Sequence, residues 1–207
     1  MPLDFDKQYY SDKVNLIVGC DEAGRGCLLG PVFAAAVILP KDFSSSLIDD
    51  SKKLTTKQRE KAYNEIIENA IAYGIASVSS EEIDKINILN ASRLAMVRAI
   101  QEMKHTYDLV ITDYMKIPDF DVEVIDIAHG DALSLSVAAA SILAKVSRDR
   151  WCEQISPLYP QYNINNNKGY GTKDHLEALK NYGPIKGIHR YSYGPVKKFL
   201  IQKIELF

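Results

Sequence analysis

Two acids, Asp21 and Glu22, stand side by side where the apolar run Leu16-Ile17-Val18 gives way to the turn Gly24-Arg25-Gly26. A carboxylate costs several kcal/mol, roughly, to desolvate unless a partner or metal compensates it, so acids seldom occupy the edge of a core by accident. Asp113 and Asp131 stand at similar junctions later in the chain. If folding gathers these side chains, two charges about 4 Å apart at an effective dielectric near 20 repel by about 4 kcal/mol. Divalent cations would relieve that repulsion. Oxygen donors without a neighbouring His/Cys cluster suit Mg²⁺ or Mn²⁺ better than zinc, and the pattern reads as a metal-dependent nuclease site. Each acid also has an ordinary use: Asp131 as a helix N-cap, Asp113 as a turn residue, Glu22 as a solvated charge. Asp21 is the hardest to explain that way, because Val18, Gly19 and Cys20 beside it read as buried.

Five short Val/Ile-rich runs bounded by Gly, Pro, Asn or Asp are predicted as strands: 14–20, 32–39, 75–79, 109–113 and 122–126. Helical periodicity lies between and after them. Thr55 or Thr56 caps a helix with Ala62, Ile66 and Ala70 on one face and Gly74 after its end. Further helices are expected over 90–103, 131–148, 172–182 and 195–205. The order predicts an α/β domain, a mixed five-stranded sheet flanked by helices, with a C-terminal helical portion from about residue 150. The short connection between the first two strands makes them antiparallel neighbours. The acids then fall at strand ends and a helix start.

With 207 residues the chain supports one substantial core, and a single domain is expected. The N-terminus is polar and acidic, and no apolar run is long enough to cross a bilayer, so a cytoplasmic protein is the expectation. Three cysteines with no C-x-x-C pair argue against a disulfide framework or structural zinc. The net charge of −2 divides unevenly: residues 1–144 carry 14 Lys/Arg against 22 Asp/Glu, and residues 145–207 carry 11 against 5. An acidic site beside a basic surface suits a phosphate backbone, although solvated helices give the same asymmetry. The glycines of Gly24-Arg25-Gly26 let main chain approach a ligand. Gly24-x-Gly26-x-x-x-Gly30 is a poor dinucleotide loop, since Pro31 leads into a strand instead of a helix. Ser51, Lys52 and Lys53, with Lys145, Arg148 and Arg190, are suited to phosphate contacts. A nuclease, a related DNA-processing enzyme and a non-catalytic nucleic-acid-binding module all remain open on these residues alone.

The block Val18-Gly19-Cys20-Asp21-Glu22-Ala23-Gly24-Arg25-Gly26, followed by Gly30-Pro31-Val32, resembles the opening signature of bacterial ribonuclease HII. The resemblance continues through Asp50-Ser51-Lys52-Lys53-Leu54, Gly130-Asp131-Ala132, the run from Ala138 to Lys145 with Arg148-Asp149, Gly169-Tyr170-Gly171-Thr172 and His189-Arg190-Tyr191-Ser192-Tyr193. It implies a ribonuclease H-like fold and hydrolysis of the RNA strand of RNA/DNA hybrids. It also implies nicking of duplex DNA 5′ of embedded ribonucleotides by two Mg²⁺ or Mn²⁺ ions, leaving 3′-hydroxyl and 5′-phosphate ends. By motif, Asp21, Glu22, Asp113 and Asp131 map to the family's metal-binding carboxylates, and Tyr114 stands where that family often has glycine. Gly24, Arg25, Gly26 and Tyr170 would read the ribose, whose 2′-hydroxyl alone marks RNA at a single nucleotide. Ser51 and Lys52 are the other substrate contacts implied. No extra N-terminal substrate-binding domain is seen, which disfavours the related type III enzymes, and a monomer is the simple expectation. The segment Gln202-Lys203-Ile204-Glu205-Leu206-Phe207 resembles peptides that bind the bacterial sliding clamp, with Gln202 one residue farther from Leu206-Phe207 than usual; packing of Ile204, Leu206 and Phe207 on the domain is the favoured alternative.

Overall fold

The computed structural model describes residues 3–48, 51, 53–117 and 120–204, with side chains through Leu200. Lys52, expected to touch substrate, and the side chains of the Gln202–Phe207 segment therefore lie outside the described residues.

Five strands form a mixed sheet in the order β3-β2-β1-β4-β5. They are β1 (Ile17–Ala23), β2 (Val32–Ile38), β3 (Ala72–Val78), β4 (Leu109–Asp113) and β5 (Glu123–Ile127). The β1–β2 and β2–β3 pairs are antiparallel, and β4 runs parallel to both β1 and β5. The helices are α1 (Thr56–Asn69), α2 (Ser80–Glu102), α3 (Gly130–Leu133), α4 (Leu135–Ile155), α5 (Ile164–Asn167), α6 (Lys173–Tyr182) and α7 (Gly194–Ile204).

Side-chain alternation along the strands feeds two cores. Val18, Cys20, Ala34, Ala36 and Val110 pack with Ala91, Ala95 and Ala99 of α2. Ala35 and Val37 pack on the opposite face against Ala138, Ala139 and Ile142 of α4 and Ala62 and Ile66 of α1. Helix α4 lies directly on β1: a Cβ at Gly19 would stand 2.1 Å from the Ser136 carbonyl carbon. The start of α4 is held by Ser134, whose hydroxyl accepts the Val137 N–H at 3.1 Å, and by buried Asp6, which accepts the Ser136 N–H at 3.0 Å. An anion there also suits the helix dipole.

Some expected boundaries move. Strand β1 begins at Ile17, not Val14, because the Asp108 carboxylate takes the N–H groups of Asn15 and Leu16 at 2.8 and 2.9 Å. It continues to Ala23 because Asp21, Glu22 and Ala23 pair with Ala35, Ala34 and Phe33. The acids thus lie within the strand's last residues. The helix expected over 131–148 is two, broken at Ser134, which adopts extended backbone to cap α4. Gly74 does not terminate α1. It lies in β3 opposite Ala36, where a Cβ would stand 2.1 Å from the Ala99 carbonyl oxygen of α2. Helix α2 begins ten residues before the expected start, at a capping box of Ser79 and Glu82, and is kinked at Asn87.

The C-terminal helices form a third core, where Leu28 and Leu29 meet Cys152, Tyr162, Ile164, Leu179 and Val196. Cys20, Cys27 and Cys152 are free and buried. Two histidines are enclosed in this region, His175 and His189, 0% and 1% exposed. The Ile185 N–H donates to His189 Nδ1 at 2.9 Å, the two Nε2 atoms lie 3.2 Å apart, and His175 Nδ1 lies 2.9 Å from the Tyr170 carbonyl oxygen.

Replacing Gly19 by Ala is expected to destabilise the fold by about 1–3 kcal/mol, the usual cost of overpacking, measured as a lower denaturation midpoint at unchanged m-value. A second expectation concerns pH. Burial, then the neighbouring His175, pushes His189 from 6.5 to about 3, and burial also lowers His175. The unfolded chain therefore binds more protons between these values. Stability is full above pH about 6.5 and falls as pH drops toward 3, at up to about 1.4 kcal/mol per pH unit per histidine. Denaturation across that range checks the slope, and replacing His189 by a neutral residue should flatten it.

Candidate active site

Parallel pairing of β1 with β4 puts Cys20 beside Thr112, so the next residues, Asp21 and Asp113, emerge at the same end of adjacent strands. By the period of two, Asp21 shares the α4 face of Gly19, and Asp113 shares that of Ile111, which packs against Val137. Asp21, Glu22 and Asp113 line one cavity of about 370 Å³, together with Gly24, Ser51, Arg59, Ser141, Lys145 and Tyr170. Asp131 is buried beside this group but does not line the cavity itself. It follows Gly130, whose N–H donates to Asp113 Oδ1 at 2.8 Å, so the short helix α3 carries it next to the β4 acid. A larger cleft, about 780 Å³, runs past the other side of α3 between Lys53, His129 and Phe43 and contains none of the four acids.

Among the described residues, Asp21 and Glu22 are incompletely compensated. Asp21 is only 5% exposed; its Oδ1 accepts the Glu22 N–H at 2.7 Å, and the nearby Ser141 hydroxyl favours its charged form. Burial, then the charges of Glu22 and Asp113, pushes Asp21 well above the usual carboxylate range despite both. Burial likewise raises Glu22, against the pull of Arg25, whose Nη1 lies 3.4 Å from Glu22 Oε1. The other oxygen, Glu22 Oε2, is buried with no hydrogen-bond partner among the described residues. An orphaned carboxylate oxygen beside two further carboxylates fits a hard divalent cation. Among the described residues no three His, Cys, Asp or Glu side chains already form a cage for one ion.

Other expected residues take distinct places. Ser51 is buried, its hydroxyl 3.0 Å from that of Ser141, so it stands behind Asp21; Arg59 donates to its carbonyl at 3.0 Å. Lys145 lines the cavity and donates to Asp149 at 2.8 Å. Tyr170 is 42% exposed, and its ring lies 4.0 Å from where a Cβ on Gly26 would sit. The Gly24-Arg25-Gly26 turn and Tyr170 therefore face each other. Gly24 has φ +98°, and a Cβ there would strike the Arg148 side chain at 2.2 Å.

Arg148 and Arg190, expected to touch phosphates, are corrected by the structure: both are 0% exposed. Arg190 braces the turn from behind, donating to the carbonyls of Gly30 and Arg25 and to the Tyr193 hydroxyl, each at 2.9 Å. Arg148 lies under Gly24 with its guanidinium 5.6 Å from the Tyr170 ring centre. Their basic character reads as surface in the sequence, and only the packing of α4 and of the segment before α7 encloses them. Tyr114 adopts φ +49°, a left-handed backbone that glycine takes without strain, which accounts for the glycine often found after this Asp in the resembling family. Sequence reading assigned no role to Asp6 or Arg59, which belong to no recognisable pattern, nor to Ser141, although it lies in the family-like run from Ala138 to Lys145.

The family profile described as Ribonuclease HII matches residues 18–196. Ribonuclease HII of Caldanaerobacter subterraneus subsp. tengcongensis is 52% identical over 196 residues, covering 95% of this chain and 80% of that protein. Among solved structures, the ribonuclease H2 from Pyrococcus horikoshii is 26% identical with a TM-score of 0.76, covering 90% of this chain and 98% of that one. The PCNA:RNase HII complex from Archaeoglobus fulgidus is 25% identical with a TM-score of 0.70, covering 84% and 92%.

Asp21→Asn removes a buried charge that the fold alone does not compensate. It should raise the melting temperature of the chelator-treated protein and leave it unmoved by added Mg²⁺, whereas the parent chain is expected to gain stability from the ion. Thermal melts with EDTA and with Mg²⁺ check both.

Proposed function

The chain belongs to the ribonuclease HII family, endoribonucleases acting on RNA/DNA hybrids, and from that membership we propose how it selects and cuts its substrate. It hydrolyses the RNA strand of a hybrid and nicks duplex DNA on the 5′ side of an embedded ribonucleotide, leaving 3′-hydroxyl and 5′-phosphate ends. Residues 1–207 act as one catalytic domain in the cytoplasm. The observation that carries the reading is the wall formed by Asp21, Glu22 and Asp113, with buried Asp131 joined to it through Gly130 and one carboxylate oxygen left without a partner among the described residues.

Asp21, Glu22, Asp113 and Asp131 would hold two Mg²⁺ or Mn²⁺ ions. The chemistry these supply when bound is Lewis-acid activation of water and charge neutralisation at the leaving oxygen. Ser141 keeps Asp21 oriented, and Ser51 and Arg59 support Ser141 from behind. Lys145 offers a positive charge in the same cavity for the scissile phosphate. The main chain of Gly24-Arg25-Gly26 meets the ribose 2′-hydroxyl, while the half-exposed Tyr170 ring packs against the sugar. Lys53, at the neighbouring cleft, offers a phosphate contact, as does Lys52. A sliding-clamp contact is the second part of the reading, supported by the complex of the archaeal relative with PCNA; the segment from Gln202 to Phe207 is its candidate peptide, against the favoured alternative that these residues pack on the domain.

The decisive assay compares a duplex holding one ribonucleotide with an all-DNA duplex in Mg²⁺; cleavage of both alike would overturn the reading. Asp21→Asn and Asp131→Asn are each expected to cut activity by about 100–1000-fold or more, the range for removing one charge-stabilising group, while hybrid binding persists in gel-shift titration. Tyr170→Ala should weaken cutting at the lone ribonucleotide and blur the cleavage position on mapped products.

A further inference from the structure

The geometry points to the buried His175–His189 pair as a positioning device that sets Tyr170 against the Gly24-Arg25-Gly26 turn and so governs ribose discrimination. The inference rests on the reading that Tyr170 packs on the ribose.

The hydrogen bonds admit one arrangement of protons. A main-chain N–H only donates, so the bond from Ile185 makes His189 Nδ1 an acceptor and leaves its proton on Nε2. A carbonyl only accepts, so the contact with Tyr170 makes His175 Nδ1 a donor and leaves its Nε2 bare. The remaining contact, Nε2 to Nε2 at 3.2 Å, is then satisfied by His189 donating to His175. Two neutral rings fill all three bonds with no proton missing or in excess. The result is a directional chain from the Ile185 N–H to the Tyr170 carbonyl.

Its two ends belong to the two halves of the ribose reader. His189 sits in a segment that runs beside the glycine turn: His189 bridges to Leu29, Gly30 N–H donates to Ile188, and the next residue, Arg190, holds the Arg25 carbonyl. His175, near the start of α6, holds the carbonyl of Tyr170, which also accepts the Thr172 N–H at 2.8 Å. Tyr170 is otherwise tethered by its N–H, which donates to the Asn167 carbonyl at 2.9 Å. The histidine chain therefore ties the aromatic side of the reader to the segment bracing its main-chain side. Neither ring reaches the carboxylate cavity.

The test has a spectroscopic arm and a kinetic arm. In protein labelled with ¹⁵N-histidine, one neutral ring should carry its proton on Nδ1, the less common tautomer in water, and lose that signal in His175→Gln. Kinetically, Asn at 175 can place an amide donor where Nδ1 stood, whereas Gln reaches the Nε2 position and leaves the Tyr170 carbonyl without that donor. The readout is the kcat/KM for one embedded ribonucleotide divided by that for a continuous hybrid, in Mg²⁺. His175→Gln is expected to lower this ratio about fivefold to tenfold, the worth of one hydrogen bond. His175→Asn should hold it within about twofold, and His175→Gln should add nothing in a Tyr170→Ala background. If His175→Gln does not fold, His189→Asn, which keeps an acceptor for Ile185 but loses the donor to His175, is read by the same ratio. A folded variant with the parental ratio, beside a Tyr170→Ala protein that has lost it, overturns the positioning role. A Tyr170→Ala protein with the parental ratio overturns the ribose reading itself and the inference with it.

Discussion

Placing Asp21, Glu22 and Asp113 together at the ends of β1 and β4 is unfavourable for the protein, and the rest of the site is arranged around that fact. Three partly desolvated carboxylates repel one another, and Arg25 meets only one oxygen of Glu22. The chain has not neutralised the group with buried arginines, although it has two at hand. Arg148 and Arg190 stand behind the glycine turn, directed away from service as counter-ions to Asp21. A site left electrostatically unsatisfied in this way is prepared for a mobile charge from solution.

The same geometry divides the labour of recognition. The carboxylates are carried on strands, whose positions are set by the ladder. The elements proposed to read the ribose are a turn with a left-handed glycine and an aromatic ring in a loop, held by bonds from behind. Main chain from Gly24 to Gly26 can approach a sugar because Gly26 has nothing nearer than the edge of Tyr170. Chemistry and selectivity thus rest on different elements that meet at one cavity.

Much of this was legible in the chain. The β-branched runs located all five strands, and β4 was placed at its observed bounds, because a parallel central strand is buried on both faces and reads as continuous Val/Ile. The Asp21-Glu22 pair stood out because charge does not belong beside Val18 and Cys20. Two kinds of information were not legible. Burial of a basic residue depends on what packs over it, so Arg148 and Arg190 read as surface charges until the C-terminal helices covered them. The break at Ser134 was hidden because Ala, Leu and Ser continue a helical pattern on either side of it, while the cap it forms depends on tertiary contact with Asp6. Gly74 likewise looked like a helix terminator, and only α2 lying across β3 explains it.

Helix α4 carries Ser141, Lys145, Arg148 and Asp149 on successive turns, and its first residues lie on Gly19. Because an α-helix advances about 100° per residue, adding or deleting a single residue between Ser136 and Ser141 would swing every one of those groups to a new bearing at once. The helix behaves as a camshaft whose lobes share one angular setting. Its sequence can drift one side chain at a time, but its length between those points cannot change without retiming the whole site.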